Sequence, residues 1–177
     1  MRKVSRPSPA NGRRIFLGDD LVNTSQEDAT ADARRSARTA ADALYANDTA
    51  SRALGIELLD VAPGCVRVAM TVRADMVNGH GICHGGVLFT LADSAFAFAC
   101  NSHGEPMVAA GASIEFLAPA PRGARVTATA TETSRTARGG IYDVVVAGET
   151  GEPLAYFRGR CARLRLPAQP AVQDEPK

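Results

Sequence analysis

The pattern of apolar and polar positions predicts two strands, one apolar helix and then four further strands. Every second residue is apolar from Val66 to Val72, and a similar alternation begins at Val126. Between the two groups of strands, a glycine-rich turn leads into an almost wholly apolar helix that begins at Gly85. The expected strands are residues 55–61, 65–73, 108–116, 124–135, 140–147 and 154–164. This order predicts an α+β fold, a single domain whose antiparallel six-stranded sheet wraps around the central helix.

The two ends of the chain show no such pattern. Residues 1–36 combine arginines with scattered Pro, Ser, Asp and Thr, and we expect a disordered extension there. The alanine-rich segment 37–53 has apolar residues near helical spacing, which predicts a helix packed on the domain. Residues 167–177 are rich in Pro and Gln and are expected to form a flexible tail. The domain itself is therefore expected over residues 37–166.

Composition and charge narrow the possible partners and the compartment. The 177 residues are 45% hydrophobic, and 20 Lys plus Arg against 19 Asp plus Glu give a formal charge of +1. This balance provides no basic field for nucleic acid or an anionic membrane. No apolar run reaches the roughly 18 to 20 residues of a membrane span. The four cysteines contain no Cys-x-x-Cys pair, so we expect reduced thiols in a cytoplasmic protein.

Candidate chemistry lies at the start and on one face of the central helix. A helix that begins at Gly85 and Gly86 presents unbonded N–H groups and the positive end of its dipole, which suits a polarised carbonyl. On a helical wheel, Asp93 falls at the boundary between a polar arc and an aromatic wall. The polar arc contains Thr90, Ser94 and Asn101, and the wall contains Phe89, Phe96 and Cys100. A solvated helix face is the alternative interpretation of the arc.

The spacing of Gly85 and Asp93 has a consequence for quaternary structure. Asp93 lies eight residues after Gly85, which is about 12 Å along a helix at about 1.5 Å per residue. One reacting carbonyl cannot lie within about 3 Å of both groups. If both act on one substrate, they come from different subunits. Two antiparallel helices across a twofold axis pair them reciprocally, so the mechanism predicts at least a dimer.

The histidines and cysteines of the turn permit other interpretations. His80, Cys83 and His84 imitate part of a zinc site, but the backbone is interrupted by glycine and no fourth ligand is evident. We expect His84 to fix the turn by hydrogen bonding, and a direct role as an acid is the alternative. Cys83 as a nucleophile lacks an acidic residue that would orient a histidine beside it. His103, just after the helix, is interpreted as structural.

Four arginines follow one another along the last predicted strand. Arg158, Arg160, Arg163 and Arg165 alternate with other residues, and we expect them on one face of the strand. The face is either solvated or in contact with the phosphates of a nucleotide-bearing substrate.

The segment 78–104 resembles the signature of the hotdog-fold acyl-CoA thioesterases, in particular the phenylacetic acid degradation thioesterases. The motif is Gly-His-Gly-Ile-Cys-His-Gly-Gly followed by Leu-Ala-Asp-Ser-Ala-Phe-Ala-Phe-Ala-Cys-Asn-Ser. The likeness extends over about residues 37–165. It implies a helix wrapped by a six-stranded sheet, with sites formed across a homodimer and often within a homotetramer.

The resemblance also implies roles for particular residues. The catalytic residues that it implies are Asn78, His84, Gly85 and Asp93. With the arguments above, the expected substrate-binding residues are Gly86, Phe89, Thr90, Phe96, Arg158 and Arg160. Some related thioesterases place a serine on the strand after the helix to hold the attacking water. Ala109 stands there in this chain and Ser113 is out of register, which leaves that role without a residue.

The expected function is hydrolysis of an aryl-acetyl-CoA thioester, such as phenylacetyl-CoA or hydroxyphenylacetyl-CoA, in phenylacetate degradation. The Gly85 N–H would polarise the carbonyl, and Asp93 of the other subunit would act as general base on water or as direct nucleophile. No metal or redox cofactor is expected, because a thioester is already activated toward attack. The alternatives are a hotdog enoyl-CoA hydratase or dehydratase and a non-catalytic acyl-CoA binding module.

Overall fold

The computed structural model describes residues 19–164, with side chains from residue 27 onward. It begins with a long helix, α1 (Asp19–Asn47), and a short one, α2 (Thr49–Ala53). Residues 1–18 and 165–177 lie outside the described part, and with them lie the expected flexible tail and Arg165. The division into extension, domain and tail stays a prediction.

Helix α1 differs from the expectation, because it begins at Asp19 and includes residues 19–36, for which the sequence suggested disorder. Among the side chains of α1 that the structure describes, from residue 27 onward, Ala37 and Ala41 are fully buried. The earlier part has three alanines, Ala29, Ala31 and Ala33, and an ion pair between Asp32 and Arg35, one turn apart. Alanine content and pairs of this kind favour a helix without any apolar periodicity. Apolar spacing along the sequence therefore does not reveal this part of the helix.

The sheet and central helix follow the predicted order. The strands are β1 (Glu57–Ala62), β2 (Cys65–Thr71), β3 (Met107–Phe116), β4 (Arg125–Thr136), β5 (Gly139–Ala147) and β6 (Pro153–Arg163), and the central helix is α3 (Gly85–Asn101). A short 3-10 turn at Ala74–Met76 follows β2. All strand pairs are antiparallel, in the order β1-β2-β4-β5-β6-β3. Each predicted strand boundary lies within two residues of the observed one.

The core lies between α3 and the inner face of the sheet. Phe96 of α3 is fully buried, with its ring centroid 5.7 Å from that of Tyr142 on β5 and 5.9 Å from that of Phe157 on β6. Burial of apolar side chains between these two layers is the main stabilising contribution. A single sheet wrapped around one apolar helix is the hotdog architecture, so the predicted fold class is confirmed.

Strand β3 is one edge of the sheet, and within residues 19–164 it pairs only with β6. A β-bulge lies between Ala109 and Gly111, and residues 108–113 are all exposed. These residues are small or apolar, without the charges or prolines that usually protect an edge. The edge is therefore available for pairing with another strand.

Two further predictions concern cysteines and membrane spans. All four cysteines are free thiols, and three of them are buried. Within residues 19–164, no helix is both long enough and apolar enough to cross a membrane.

Candidate functional site

The turn before α3 is a closed loop built on Asn78. The Asn78 side-chain oxygen accepts a hydrogen bond from the His80 N–H at 2.9 Å, and the Asn78 carbonyl accepts from the Gly81 N–H at 2.9 Å. The Asn78 N–H donates to the Ile82 carbonyl at 2.8 Å. Gly81 adopts a φ of 75°, a conformation that glycine tolerates and other residues rarely adopt. These bonds return the chain sharply toward the start of α3.

His84 caps α3 in a way that leaves one N–H free. Its Nδ1 accepts from the Gly86 N–H at 2.9 Å, and its carbonyl accepts from the Val87 N–H at 2.9 Å. The hydrogen bond that we predicted for His84 is therefore present. Within the described residues, no group accepts a hydrogen bond from the Gly85 N–H. This donor is available to a ligand at the positive end of the helix dipole.

A cavity of about 420 Å³ has Gly85 in its wall. Its wall combines the turn and the start of α3 with the end of β3, and its lining residues are Asn78, Ile82, Cys83, Gly85, Leu88, Phe116, Leu117, Ala118 and Pro119. The Asn78 side-chain nitrogen has no acceptor within the described residues. The cavity is thus apolar, with polar donors from Asn78 and Gly85.

Asp93 lies farther along α3 and does not line this cavity. Its carboxylate is half-buried, and within the described residues it makes no hydrogen bond or ion pair. Burial raises the pKa of Asp93 above its ordinary value, because a low-dielectric surrounding disfavours the charged form. Asp93 and Gly85 of one chain lie apart in the structure. Their separation of eight residues on the helix requires this.

The side chains of the predicted polar arc of α3 form hydrogen bonds within the protein. The Thr90 hydroxyl donates to the Gly86 carbonyl at 2.8 Å. Ser94 is buried, with its hydroxyl 2.8 Å from the hydroxyl of Ser51. Asn101 accepts from the Met107 N–H at 2.9 Å and donates to the Met107 carbonyl at 3.0 Å. Of the polar side chains around Asp93, these three already have partners.

Of the two phenylalanines expected to bind substrate, Phe96 belongs to the core and the half-buried Phe89 packs against it. Phe96 is fully buried, and Phe89 packs edge-on against Phe157 with 5.3 Å between ring centroids. Neither lines the cavity at Gly85. The expectation that Phe96 contacts substrate is corrected, because β5 and β6 cover its ring completely. Core packing accounts for both residues.

The arginines of β6 are distributed differently from the prediction. Arg158 forms a two-pronged ion pair with Asp143, at 2.6 and 2.8 Å, and Arg160 donates to the Ala110 carbonyl at 2.8 Å. Arg163 lies an odd number of residues after Arg160, so the expectation of one shared face is wrong for it. These arginines do not line the cavity at Gly85. Arg158 instead borders a separate cavity on the outer face of the sheet.

The alternatives for the cysteine and histidines find no support in the geometry. Cys83 is buried, and burial raises the pKa of its thiol, which keeps it protonated rather than nucleophilic. His103 lies 2.7 Å from the Glu132 carboxylate and links the end of α3 to β4. Over residues 27–164, whose side chains the structure describes, no three His, Cys, Asp or Glu side chains lie close enough together to hold a metal ion.

Sequence reasoning missed the wall that β3 contributes to the cavity. Phe116 and Leu117 line it with 53% and 54% of their surfaces exposed. The available signal is a pair of large apolar residues at a strand end, shortly before Pro119. That signal does not identify which part of the chain the pair approaches.

The chain is similar to known proteins over most of its length. Residues 80–155 match the family model described as the thioesterase superfamily. The chain is 44% identical to the acyl-coenzyme A thioesterase PaaI of Escherichia coli over 124 residues, which cover 70% of this chain and 89% of that protein.

Two solved structures give the same picture. The Escherichia coli PaaI protein from the phenylacetic acid degradation operon has a TM-score of 0.74 at 42% identity, covering 75% of this chain and 96% of that one. A variant of the phenylacetic acid degradation protein PaaI from Thermus thermophilus has a TM-score of 0.64 at 44% identity, covering 66% of this chain and 100% of that one.

Proposed function

We propose that this chain, which belongs to the thioesterase superfamily, hydrolyses the thioester bond of an aryl-acetyl-CoA such as phenylacetyl-CoA. The observation that carries the proposal is the free N–H of Gly85 at the cavity wall. Such a donor stabilises the oxyanion that forms when a thioester carbonyl is attacked. The likeness to a protein of a phenylacetic acid degradation operon supports the aryl-acetyl group.

In the proposed complex, the thioester carbonyl oxygen accepts a hydrogen bond from the Gly85 N–H. The Asn78 side-chain nitrogen is the second polar donor at the cavity and orients the substrate or the attacking water. His84 acts as a positioning residue, because its bond to the Gly86 N–H keeps the start of α3 in place. Gly86 then contributes to the shape of the turn rather than to direct binding.

The proposed base is Asp93 of a second subunit. Asp93 is about 12 Å along the helix from the Gly85 of its own chain. Its half-buried carboxylate has no hydrogen-bond or ion-pair partner in the described part of the chain. Such a group is costly to folding unless it serves another purpose. A twofold axis that pairs two antiparallel α3 helices would bring each Asp93 to the Gly85 of the other chain.

The exposed edge of β3 supports the homodimer. Antiparallel pairing of two β3 edges would satisfy the backbone groups of residues 108–113 and join two six-stranded sheets. Two equal sites result, and a tetramer would be a dimer of such dimers. We also place the enzyme in the cytoplasm, in keeping with its four free thiols.

The chemical step needs only water and these groups. Asp93 takes a proton from water as the water oxygen bonds to the thioester carbonyl carbon, and the negative charge on the carbonyl oxygen is held at the Gly85 N–H. The carbon–sulfur bond then breaks, the carbonyl re-forms, and Asp93 returns its proton to the departing CoA thiolate. The products are the free acid and CoA. Direct attack by Asp93 is the competing pathway, and it would leave an acyl-enzyme that mass spectrometry detects after acid quench.

The proposal is tested with Asp93→Asn, assayed by thiol release from phenylacetyl-CoA. We expect loss of at least about a hundredfold in kcat, the usual scale for a general base, with an unchanged oligomeric state. The matched control is Asp60→Asn, an exposed carboxylate that pairs with Arg67 away from the cavity. Near wild-type hydrolysis by a folded Asp93→Asn oligomer contradicts the mechanism.

A complementation experiment tests the shared site. Gly85→Pro removes the N–H, and a proline is tolerated at this first helical position because His84 already has an extended conformation. Gly85→Ala is its control, since it retains the N–H and adds the same Cβ atom, which would lie 3.0 Å from the Phe116 ring. Two different tags allow purification of a heterodimer with one Gly85→Pro subunit and one Asp93→Asn subunit. If the sites are shared, one of its two sites combines the intact Gly85 of one subunit with the intact Asp93 of the other. This heterodimer should recover about half of the wild-type activity. No recovery would place both groups in one subunit.

The same assay panel separates hydrolysis from hydration. An enoyl-CoA hydratase would need a histidine over the acyl chain, whereas Nδ1 of His84 is already occupied by the Gly86 N–H. We expect thiol release from phenylacetyl-CoA and no hydration of an enoyl-CoA. Saturable binding of phenylacetyl-CoA without turnover would instead identify a non-catalytic module.

A further inference from the structure

Phe116 ends β3 with its ring against the start of α3. A Cβ atom added to Gly85 would lie 3.0 Å from the Cζ of Phe116 and 3.4 Å from Cε1 and Cε2. The far end of the ring therefore contacts the backbone of the residue whose N–H is free. A larger residue at position 85 would displace the ring.

The exposure of the Phe116 ring follows from its position in the sequence. Ile114 pairs with Phe157 on the inner face of the sheet, and Phe116 follows it by two residues, so both face the helix side. Ile114 is half-buried and packs on the core. Phe116 lies beside Gly85, which has no side chain to cover it, and it is 53% exposed.

The cavity places this ring where an acyl group would lie. Phe116, Leu88, Leu117 and Ile82 form an apolar wall, and the free Gly85 N–H is on the same wall. A carbonyl oxygen bound to this N–H would place its acyl substituent beside Gly85, the residue that the ring also approaches. Exposed aromatic rings in apolar cavities are typical binding surfaces for other rings.

We propose that Phe116 determines the preference for aromatic acyl groups, by packing its ring against the aryl ring of the substrate. This inference rests on the proposed function and names the part of the site that selects the substrate. Aromatic pairs gain from offset or edge-on contact beyond the burial of area, and a straight alkyl chain gains only the burial. Replacing the ring with an aliphatic side chain should therefore reduce discrimination rather than catalysis in general.

The test measures kcat/KM for phenylacetyl-CoA and for octanoyl-CoA, whose acyl groups have the same number of carbon atoms. For Phe116→Leu we expect the ratio of the two values to fall by about two- to tenfold, the range of one aromatic pair. Phe116→Tyr retains the ring and should retain the ratio. Tyr156→Leu is the matched control, an aromatic residue with 49% exposure that borders the separate cavity on the outer face.

The outcomes distinguish this inference from the proposed function. An unchanged ratio, or an equal fall for both substrates, overturns the role of Phe116 while hydrolysis itself stands. An equal fall would mean that the ring contacts the CoA portion or only supports α3. If the wild-type protein releases thiol from neither substrate, the proposed function fails instead. Circular dichroism and size-exclusion chromatography of each variant separate these results from unfolding.

Discussion

The hydroxyl oxygens of Ser51 and Ser94 lie 2.8 Å apart in the interior of the protein. Ser51 also donates to the Asp48 carboxylate at 2.6 Å, and the Ser51 N–H donates to the same carboxylate at 2.9 Å. Asp48 thereby caps α2, and the chain of bonds continues to the residue next to Asp93. The short helix α2 thus fixes the rotation of α3 near the proposed base.

Removing the two hydroxyls one at a time should give unequal effects on stability. Ser94→Ala removes one neutral hydrogen bond, and we expect a loss of about 1 kcal/mol in the free energy of unfolding. Ser51→Ala also removes a donor from the Asp48 carboxylate, so its loss should be about 2 kcal/mol. Urea denaturation of both variants and of the double variant measures this. If the two single variants lose equal stability and these losses add fully in the double variant, the proposed hydrogen-bonded chain from Asp48 through Ser51 to Ser94 is contradicted.

Asp93→Asn should stabilise the fold in a pH-dependent manner. Burial raises the pKa of Asp93, so the folded chain binds a proton more tightly there than the unfolded chain does. The ionised form then destabilises the fold, with a cost that begins as pH rises through the unfolded value of about 3.9 and is complete above the folded value. The variant should therefore unfold at a higher Tm than wild type near about pH 8, with the difference shrinking toward about pH 4.

The control for this pH dependence is Asp60→Asn, whose exposed carboxylate pairs with Arg67. It should show no gain in Tm at the higher pH, because an exposed carboxylate is not penalised by burial. An Asp93→Asn protein that is less stable than wild type at the higher pH would show that Asp93 has a stabilising partner in the assembled protein.

Gly159→Ala should destabilise the core beneath β6. An added Cβ would lie 2.9 Å from three ring atoms of Phe96, and that ring is fully buried with no room to move. Overpacking of this kind costs about 1 to 3 kcal/mol. Gly79→Ala is the control, since nothing lies within 4 Å of its Cβ position, and we expect a change within about 0.5 kcal/mol. Equal stability of the two variants would contradict the packing.

The features that the sequence reveals are those set by local spacing. The glycine pair before an apolar run predicts the start of α3 at Gly85, and the structure begins the helix there. The alternation around Val126 predicts β4, because side chains of a half-buried strand alternate between two faces. The separation of Gly85 and Asp93 follows from helical geometry alone, and it carries the hypothesis of a shared site.

The features that the sequence does not reveal depend on contacts between distant residues. Phe116 contacts Gly85 only because β3 and α3 meet in the folded chain, and no local pattern encodes that meeting. The sequence leaves Arg158 either solvated or in contact with substrate phosphates, and it does not identify Asp143, the neighbour across the strands with which Arg158 pairs. The aromatic wall of α3 likewise faces the sheet, because burial in the core and binding of substrate produce the same apolar pattern.

His84 variants should separate capping from direct chemistry. Its Nδ1 accepts the Gly86 N–H, so His84→Ala leaves that donor unpaired and should lower the free energy of unfolding by about 1 kcal/mol. Asparagine is among the best capping residues, so His84→Asn should restore stability. If His84 only positions the turn, the asparagine variant should also recover most of the kcat for phenylacetyl-CoA. A variant with restored stability and a kcat as low as that of His84→Ala would instead assign the imidazole a direct part in proton transfer.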